Sequence, residues 1–276
     1  MLLRAIAMVS ALLAVVLFVC LDAALWLIPV LFAVFYLLGL LLAFLILWAF
    51  SAAVDMDRPQ EHDSKFYRRV VMCYIEALIP LVGLKIEVSG LEKRPDTKRI
   101  MLVCNHQNEG DPGILMHYFK RYELAFVAKK EVRDMFMMGK FMHALVCQPI
   151  NRENDREALK SILRCIQLLK TDEVSIGAFP EGGIFEKDKL HPFRSGVFKI
   201  AQKANVPIVV CTLKGTSDLF HNMKRLKPTH VRLHLVDVIP AEEVKAANTV
   251  ELSNRIYQMM LNDLGPEYAP ETTENT

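Results

Sequence analysis

The chain has 276 residues, 53% of them apolar, with 33 basic and 31 acidic side chains and a formal net charge of +2. That near-balance leaves no field for gripping a nucleic-acid backbone, and the apolar content excludes a long disordered chain. The excess is uneven: 45 of the first 50 residues are apolar, the exceptions being Arg4, Ser10, Asp22, Pro29 and Gly39, and the rest is ~45% apolar, an ordinary globular value.

The leading block runs to about residue 54, too long for the apolar region of a signal peptide, and no clear A-x-A site closes it. It divides into residues 5–21 and 31–54, about 17 and 24 residues, enough for two crossings of the hydrocarbon core. Asp22 and Pro29 mark the turn between them, and Trp26 and Trp48 fall near the ends of the second stretch, where indole rings favour the interface. The turn carries only Asp22, whereas Lys65, Arg68 and Arg69 follow the second stretch. The positive-inside rule then places the main body and the N-terminus on the cytoplasmic face of the cell membrane. A hairpin that dips into one leaflet and returns is the alternative that the short first stretch permits.

Residues 64–82 carry Phe66, Val70, Tyr74, Ala77, Leu78 and Leu81 at helical spacing behind a basic end, which predicts a helix lying along the membrane or packing on the domain. Residues 85–88 alternate as a short strand, and 99–104 form a buried one. Asp111-Pro112 reads as an N-cap and first helical position, with the helix running toward Lys120. Residues 123–128 predict a strand and 130–145 a helix interrupted or kinked near Gly139. Residues 155–170 are the clearest helix, with Leu159, Ile162, Leu163, Ile166 and Leu169 in one stripe. A strand over 174–179 ends in Pro180-Glu181-Gly182-Gly183, a turn signal. Residues 193–203 read as helix, 206–213 and 231–238 as strands. Asn248 with Glu251 caps a last helix that Gly265-Pro266 stops.

Six cysteines, at 20, 73, 104, 147, 165 and 211, form no C-x-x-C pair and read as reduced thiols, several of them buried in apolar runs. Alternating strands and helices predict an α/β fold, a mainly parallel central sheet flanked by helices, preceded by a hydrophobic two-helix membrane hairpin. The expected organisation is a hairpin over 1–54, a juxtamembrane amphipathic helix and linker over 55–84, a main domain over 85–266 and a flexible tail over 267–276. Ligands of such sheets bind beyond the C-terminal strand ends, so the stretches after Cys104 and Phe179 are where chemistry belongs.

The loop after Cys104 is Asn105-His106-Gln107-Asn108-Glu109-Gly110-Asp111. If it curls, Asp111 can accept from one ring nitrogen of His106 and leave the other free as a base, the arrangement that activates a hydroxyl. The plainer readings are helix capping for Asp111 and a surface position for His106.

Three further blocks follow in order: Gln148-Pro149-Ile150-Asn151-Arg152, Phe179-Pro180-Glu181-Gly182, and Val206-Pro207-Ile208-Val209. Together with N-H-x(4)-D at 105–111 they resemble the 1-acylglycerol-3-phosphate acyltransferase family. The stretches Val127-Ala128-Lys129-Lys130-Glu131 and Pro192-Phe193 with Gly196 look similar to it too. The resemblance implies that residues 85–266 are an acyltransferase domain with His106 as general base and Asp111 orienting it. It implies transfer of a fatty acyl group from acyl-CoA or acyl carrier protein to the sn-2 hydroxyl of lysophosphatidic acid, giving phosphatidic acid for phospholipid synthesis. The implied partners are the bilayer, the lysophospholipid and the donor, with no metal or organic cofactor. Asn105, Arg152, Glu181 and Gly182 match the family's motifs as substrate-binding positions. The sequence departs where many members have threonine and arginine after F-P-E-G: Gly183 and Ile184 stand there, and Lys189 or Arg194 (or Lys187) is the expected substitute cation. Asn108 stands where serine is frequent.

Overall fold

A computed structural model describes residues 1–21, 24–151, 153–185 and 188–270. Two long apolar helices lead, α1 (Leu2–Leu21) and α2 (Leu27–Ala52), and both are long and apolar enough to cross a membrane. Pro29 is not in the turn between them but in the first turn of α2, where a missing N–H costs nothing. Asp22 lies outside the described residues.

The helix α3 (Lys65–Leu81) opens on Ser64, whose hydroxyl accepts from the Tyr67 N–H. Val71, Met72 and Ile75 pack it onto the core, so it belongs to the domain rather than to a linker. Of its predicted stripe, Ala77 is buried, Phe66, Leu78 and Leu81 are exposed, and two side chains meet α2: Tyr74 donates to the Ala43 carbonyl, and Phe66 meets Phe50 edge-on. Arg68 is no surface charge. It is buried in a two-pronged pair with Asp63 at 2.7 and 2.8 Å and also donates to the Leu124 carbonyl. Lys65 is likewise paired, with Asp63 and Glu123. The cationic flank behind the orientation argument is therefore smaller than its sequence suggests.

The body is a seven-stranded sheet ordered β1 (Leu84–Ser89), β7 (Thr229–Ile239), β6 (Ile208–Lys214), β2 (Met101–Cys104), β5 (Ser175–Ala178), β3 (Leu124–Lys129), β4 (Gln148–Ile150). Every pairing is parallel except β6 with β7. Period-2 alternation splits the central strands between two layers. From β2, Met101 and Val103 face one core and Leu102 and Cys104 the other. The remaining helices are α4 (Asp111–Tyr118), α5 (Met138–Ala144), α6 (Asp155–Lys170), α7 (Lys199–Ala204), α8 (Leu219–Lys224), α9 (Ala241–Ala246) and α10 (Thr249–Leu264). Those of α6, α7 and α10 cover the first layer; α3 and α4 cover the second.

Several sequence expectations change. Over residues 130–145 the helix is interrupted rather than kinked, and the break comes before Gly139: a 3-10 turn at Lys130–Asp134 is separated from α5 by Met135–Met137, with Met137 at φ 55°. Gly139 is not the kink; a Cβ there would collide with the Arg133 carbonyl oxygen, so glycine permits the close approach. Helix α6 buries Cys165, Leu168 and Leu169, whereas Leu159 and Leu163 stay exposed, because beyond the three-residue edge strand β4 no further strand extends the sheet over that margin. Residues 193–194 are held extended by the Arg194 N–H on the Pro180 carbonyl, so a 3-10 turn at Ser195–Phe198 precedes α7. The expected loose tail is docked through residue 268: Tyr268 is buried, and its carbonyl accepts from the Leu190 N–H. All six cysteines are free, and Cys104, Cys165 and Cys211 are buried.

Candidate active site

Strand β2 ends at Cys104, and the next seven residues curl back on themselves. Asp111 drives the curl. Its Oδ2 accepts from the backbone N–H of Gln107 (2.7 Å) and of Asn108 (2.8 Å), and lies 3.0 Å from His106 Nδ1. Asp111 is not the N-cap of α4, a place taken by Gly110, but its first residue, and its carboxylate points back into the loop rather than along the helix. Pro112 follows at the start of α4, as the dipeptide suggested. Asp111 is fully buried, and its Oδ1 has no hydrogen-bond partner among the described residues.

With a carboxylate on Nδ1, the ring carries its proton there and leaves Nε2 with a lone pair. The imidazole lies flat on Phe179, centroids 3.9 Å apart at 15°, and Phe179 in turn stacks on Phe126 at 5.6 Å. Phe126 finds room because the facing residue is Gly177, where a Cβ would strike its ring. Three rings from β3, β5 and the β2 loop thus fix the plane of His106, whose side chain keeps 16% of its surface exposed.

Glu181 does not reach for a ligand. Its Oε1 accepts from the His106 N–H (2.7 Å) and its Oε2 from the His191 N–H (2.9 Å), so it bolts the loop after β5 to the loop after β2. Burial pushes its carboxyl up to about 7, against the two N–H donors that favour the charge; nearby Asp111 adds to the rise. Asn105 is also a fastener rather than a substrate contact. It is buried, and its side-chain amide donates to the Leu213 carbonyl and accepts from the Leu213 N–H, both at 2.8 Å, closing the gap where β2 leaves β6. Gly182 sits at φ 88° and donates to the Phe179 carbonyl at 3.0 Å, completing the turn that aims Glu181.

Lys189 and Arg194 lie on the loop that Glu181 anchors, half-buried and exposed respectively, and neither side chain has an ion-pair partner among the described residues. Arg152 falls outside the described residues, so its predicted place near the site has no geometry to set beside it. Cys104 is fully buried; burial, with Cys211, Asp111 and Glu181 nearby, pushes its thiol well above its usual range. It is a strand filler and no thiolate nucleophile.

Sequence reasoning missed a second ring of fasteners. The Gln107 side chain donates to Asp188 Oδ1 (3.0 Å) and to the Tyr268 hydroxyl (3.1 Å), and accepts from the Gly215 N–H (3.2 Å). Asp188 Oδ1 also accepts from Ser217. Gln107 could have been flagged by its place beside His106, but Tyr268 stands 161 residues away and carries no local signal.

Residues 85–214, which hold all these motifs, match the family model described as Acyltransferase. The chain is 30% identical over 179 residues to the 1-acyl-sn-glycerol-3-phosphate acyltransferase of Bacillus subtilis (strain 168), covering 63% of this chain and 87% of that protein. It is 29% identical over 177 residues to the probable 1-acyl-sn-glycerol-3-phosphate acyltransferase of Mycoplasma pneumoniae, covering 63% of this chain and 65% of the relative. The chain spans just under two-thirds of the Mycoplasma relatives and 45% of one from Brassica napus. The crystal structure of the 1-acyl-sn-glycerophosphate (LPA) acyltransferase PlsC from Thermotoga maritima shares the fold, with a TM-score of 0.59 at 20% identity over 82% of this chain and 94% of that one. By its sequence relatives and its family model, the chain belongs to the 1-acyl-sn-glycerol-3-phosphate acyltransferase family.

Proposed function

We propose that this protein is a membrane-bound O-acyltransferase. It transfers a fatty acyl group from the thioester of acyl-CoA or acyl carrier protein to the sn-2 hydroxyl of 1-acylglycerol 3-phosphate. The observation that carries the proposal is the His106–Asp111 pair at the end of β2, with Nδ1 committed to a buried carboxylate and Nε2 left open. The names of the relatives supply the acceptor.

In this reading His106 Nε2 takes the proton of the acceptor hydroxyl as that oxygen attacks the thioester carbonyl. A tetrahedral intermediate forms and collapses by breaking the carbon–sulfur bond; the imidazolium returns its proton to the departing sulfur. The hydroxyl is itself the nucleophile, so no acyl-enzyme and no further cofactor is required, in keeping with the protonated state of Cys104. Asp111 holds the tautomer and offsets the imidazolium charge. Phe179 and Glu181 position the ring and its backbone. Lys189 and Arg194, on the Glu181 loop, and Arg152 receive the acceptor phosphate in place of the arginine that Ile184 replaces, as fork or point charges suited to it. The hairpin keeps the site at the cytoplasmic surface of the cell membrane, where the lysolipid already resides.

The test is purified protein in detergent with each thioester donor and a panel of lysolipids, following thiol release and diacyl product for wild type and His106→Ala. Product with lysophosphatidic acid that vanishes in the variant is expected. Product with a different lysolipid alone would move the acceptor. No thiol release from folded protein with any pair would overturn the enzyme reading.

A further inference from the structure

Between the C-terminal end of α2 and the start of α6 lies a cleft of about 750 Å³, separate from the His106 site. Trp48 and Ser51 of α2 form one wall, Met135, Phe136 and Met137 another, and the cations Lys130, Arg133, Lys140 and Lys160 ring it against only Asp134 and Glu157. Lys130 follows β3 and Asn151 follows β4, two and three strands along the sheet from β2, so the cleft stands about 10–15 Å from His106 at ordinary strand spacing.

The loop that forms its second wall is built in an unusual way. Met135 is 42% exposed, Phe136 70% and Met138 47%, an apolar tip with nothing packed over it. Yet the tip is not loose. The Met138 N–H donates to the Phe136 carbonyl (2.6 Å), the Gly139 N–H to the Met135 carbonyl (3.1 Å), and Met137 is held at φ 55°, a conformation rarely tolerated by a side-chain-bearing residue. Strained backbone that holds large apolar side chains out of the core is the mark of a surface with a partner.

The partner is indicated by continuity and by charge. The cleft is shared with Trp48, four residues from the end of a helix apolar enough for the bilayer, so the tip stands where that helix meets the interface. The outward side chains Phe66, Leu78 and Leu81 of α3, the helix that packs on α2, extend the apolar surface. Lys130, Lys140 and Lys160 have no ion-pair partner among the described residues. We propose that the Met135–Met138 loop is a second membrane-inserting element beside the hairpin, and that the cations around its cleft hold anionic lipid headgroups. The proposal needs the hairpin to enter a bilayer and does not depend on acyl transfer.

The experiment uses the full chain in vesicles of phosphatidylcholine with and without phosphatidylglycerol, containing a lipid with a photoactivated carbene precursor in its acyl chain. Adducts are mapped by mass spectrometry. Label is expected in residues 133–140 as well as in the hairpin, and not in α9, which follows β7, five strands along the sheet from β4 and next to the opposite edge strand β1. Phe136→Asp, at a position outside the core, should lose the loop label and keep the hairpin label and the thermal midpoint. Lys140→Gln and Lys160→Gln should each lower the enrichment with anionic lipid about fivefold. A labelled hairpin with an unlabelled loop overturns the proposal, as does loop label that Phe136→Asp leaves unchanged or label on neither segment. Protection of residues 133–140 by an acidic carrier protein in solution, with no lipid adduct, would assign the face to the donor and overturn it too.

Discussion

Two histidine–aspartate pairs, His106 with Asp111 and His234 with Asp263, stand out among the described residues, and they are built differently. His234 Nδ1 lies 2.7 Å from Asp263 Oδ1, closer than the 3.0 Å between His106 and Asp111. The shorter pair is inside a strand and under a helix, β7 to α10, and its aspartate is shared: Arg232 donates to Asp263 Oδ2 at 2.8 Å, and the Thr212 hydroxyl donates to the same oxygen. A cation and a hydroxyl already answer that carboxylate, which makes it a strut holding α10 to the sheet. Among the described residues Asp111 has no arginine or lysine paired with it, takes two backbone N–H groups from its own loop, and leaves one oxygen unmatched at the end of a strand. Distance between the partners does not separate a strut from a base; what else touches the carboxylate does.

The largest expected effect tests that contrast directly. His106→Ala should lower turnover on the order of 10³–10⁴-fold, the contribution of a general base, with little change in the thermal midpoint. Next, Asp111→Asn should cost about 10²–10³-fold, because an amide oxygen in the place of Oδ2 carries no charge to offset the imidazolium; single-turnover kinetics with bound acceptor would show the loss in the chemical step. Glu181→Gln sits between the two kinds of region. Its amide can accept from only one of the His106 and His191 N–H groups, so turnover should fall about tenfold and stability by about 1–3 kcal/mol at neutral pH.

The same variant carries a pH signature. The Glu181 carboxyl is raised in the folded chain to about 7 from an ordinary value of 4.5, so between those values the folded state keeps a proton that the unfolded state releases. Wild type should therefore lose stability relative to Glu181→Gln as pH rises through that window, on the order of 2–3 kcal/mol in all, and the difference should level off above it. Denaturant titrations at a series of pH values measure it; a flat difference would show that the two N–H donors outweigh burial. The smallest effect belongs to the strut. Asp263→Asn should change turnover less than about threefold while lowering the midpoint by roughly 2–6 °C, as one or two hydrogen bonds to charged groups weaken. A large catalytic loss there would break the contrast between the pairs.

Much of this was legible in advance where the information is local. The apolar block, the strands at 99–104 and 206–213 and the helix at 155–170 follow from periodicity, and His106 with Asp111 from a loop short enough to close on itself. Less legible were the residues whose polar partners the local pattern does not name. Arg68 looked like a membrane-facing charge until Asp63 and the Leu124 carbonyl enclosed it. Glu181 and Asn105 stood in motifs and were read as ligand contacts, yet both spend their polar atoms on backbone. Leu159 and Leu163 share the helical stripe of α6 but lie beyond the edge of the sheet that would bury them.

By itself, then, the chain's order of residues determined the class of fold, the apolar hairpin and the loop that carries His106 and Asp111, because hydrophobic period and turn chemistry act over a few residues. Tertiary structure alone decided what the buried polar groups are for. A carboxylate or an amide in a dry interior takes its role from whichever donors surround it, and here one of the two donors to Glu181 comes from 75 residues away and the backbone donor to Asn105 from 108.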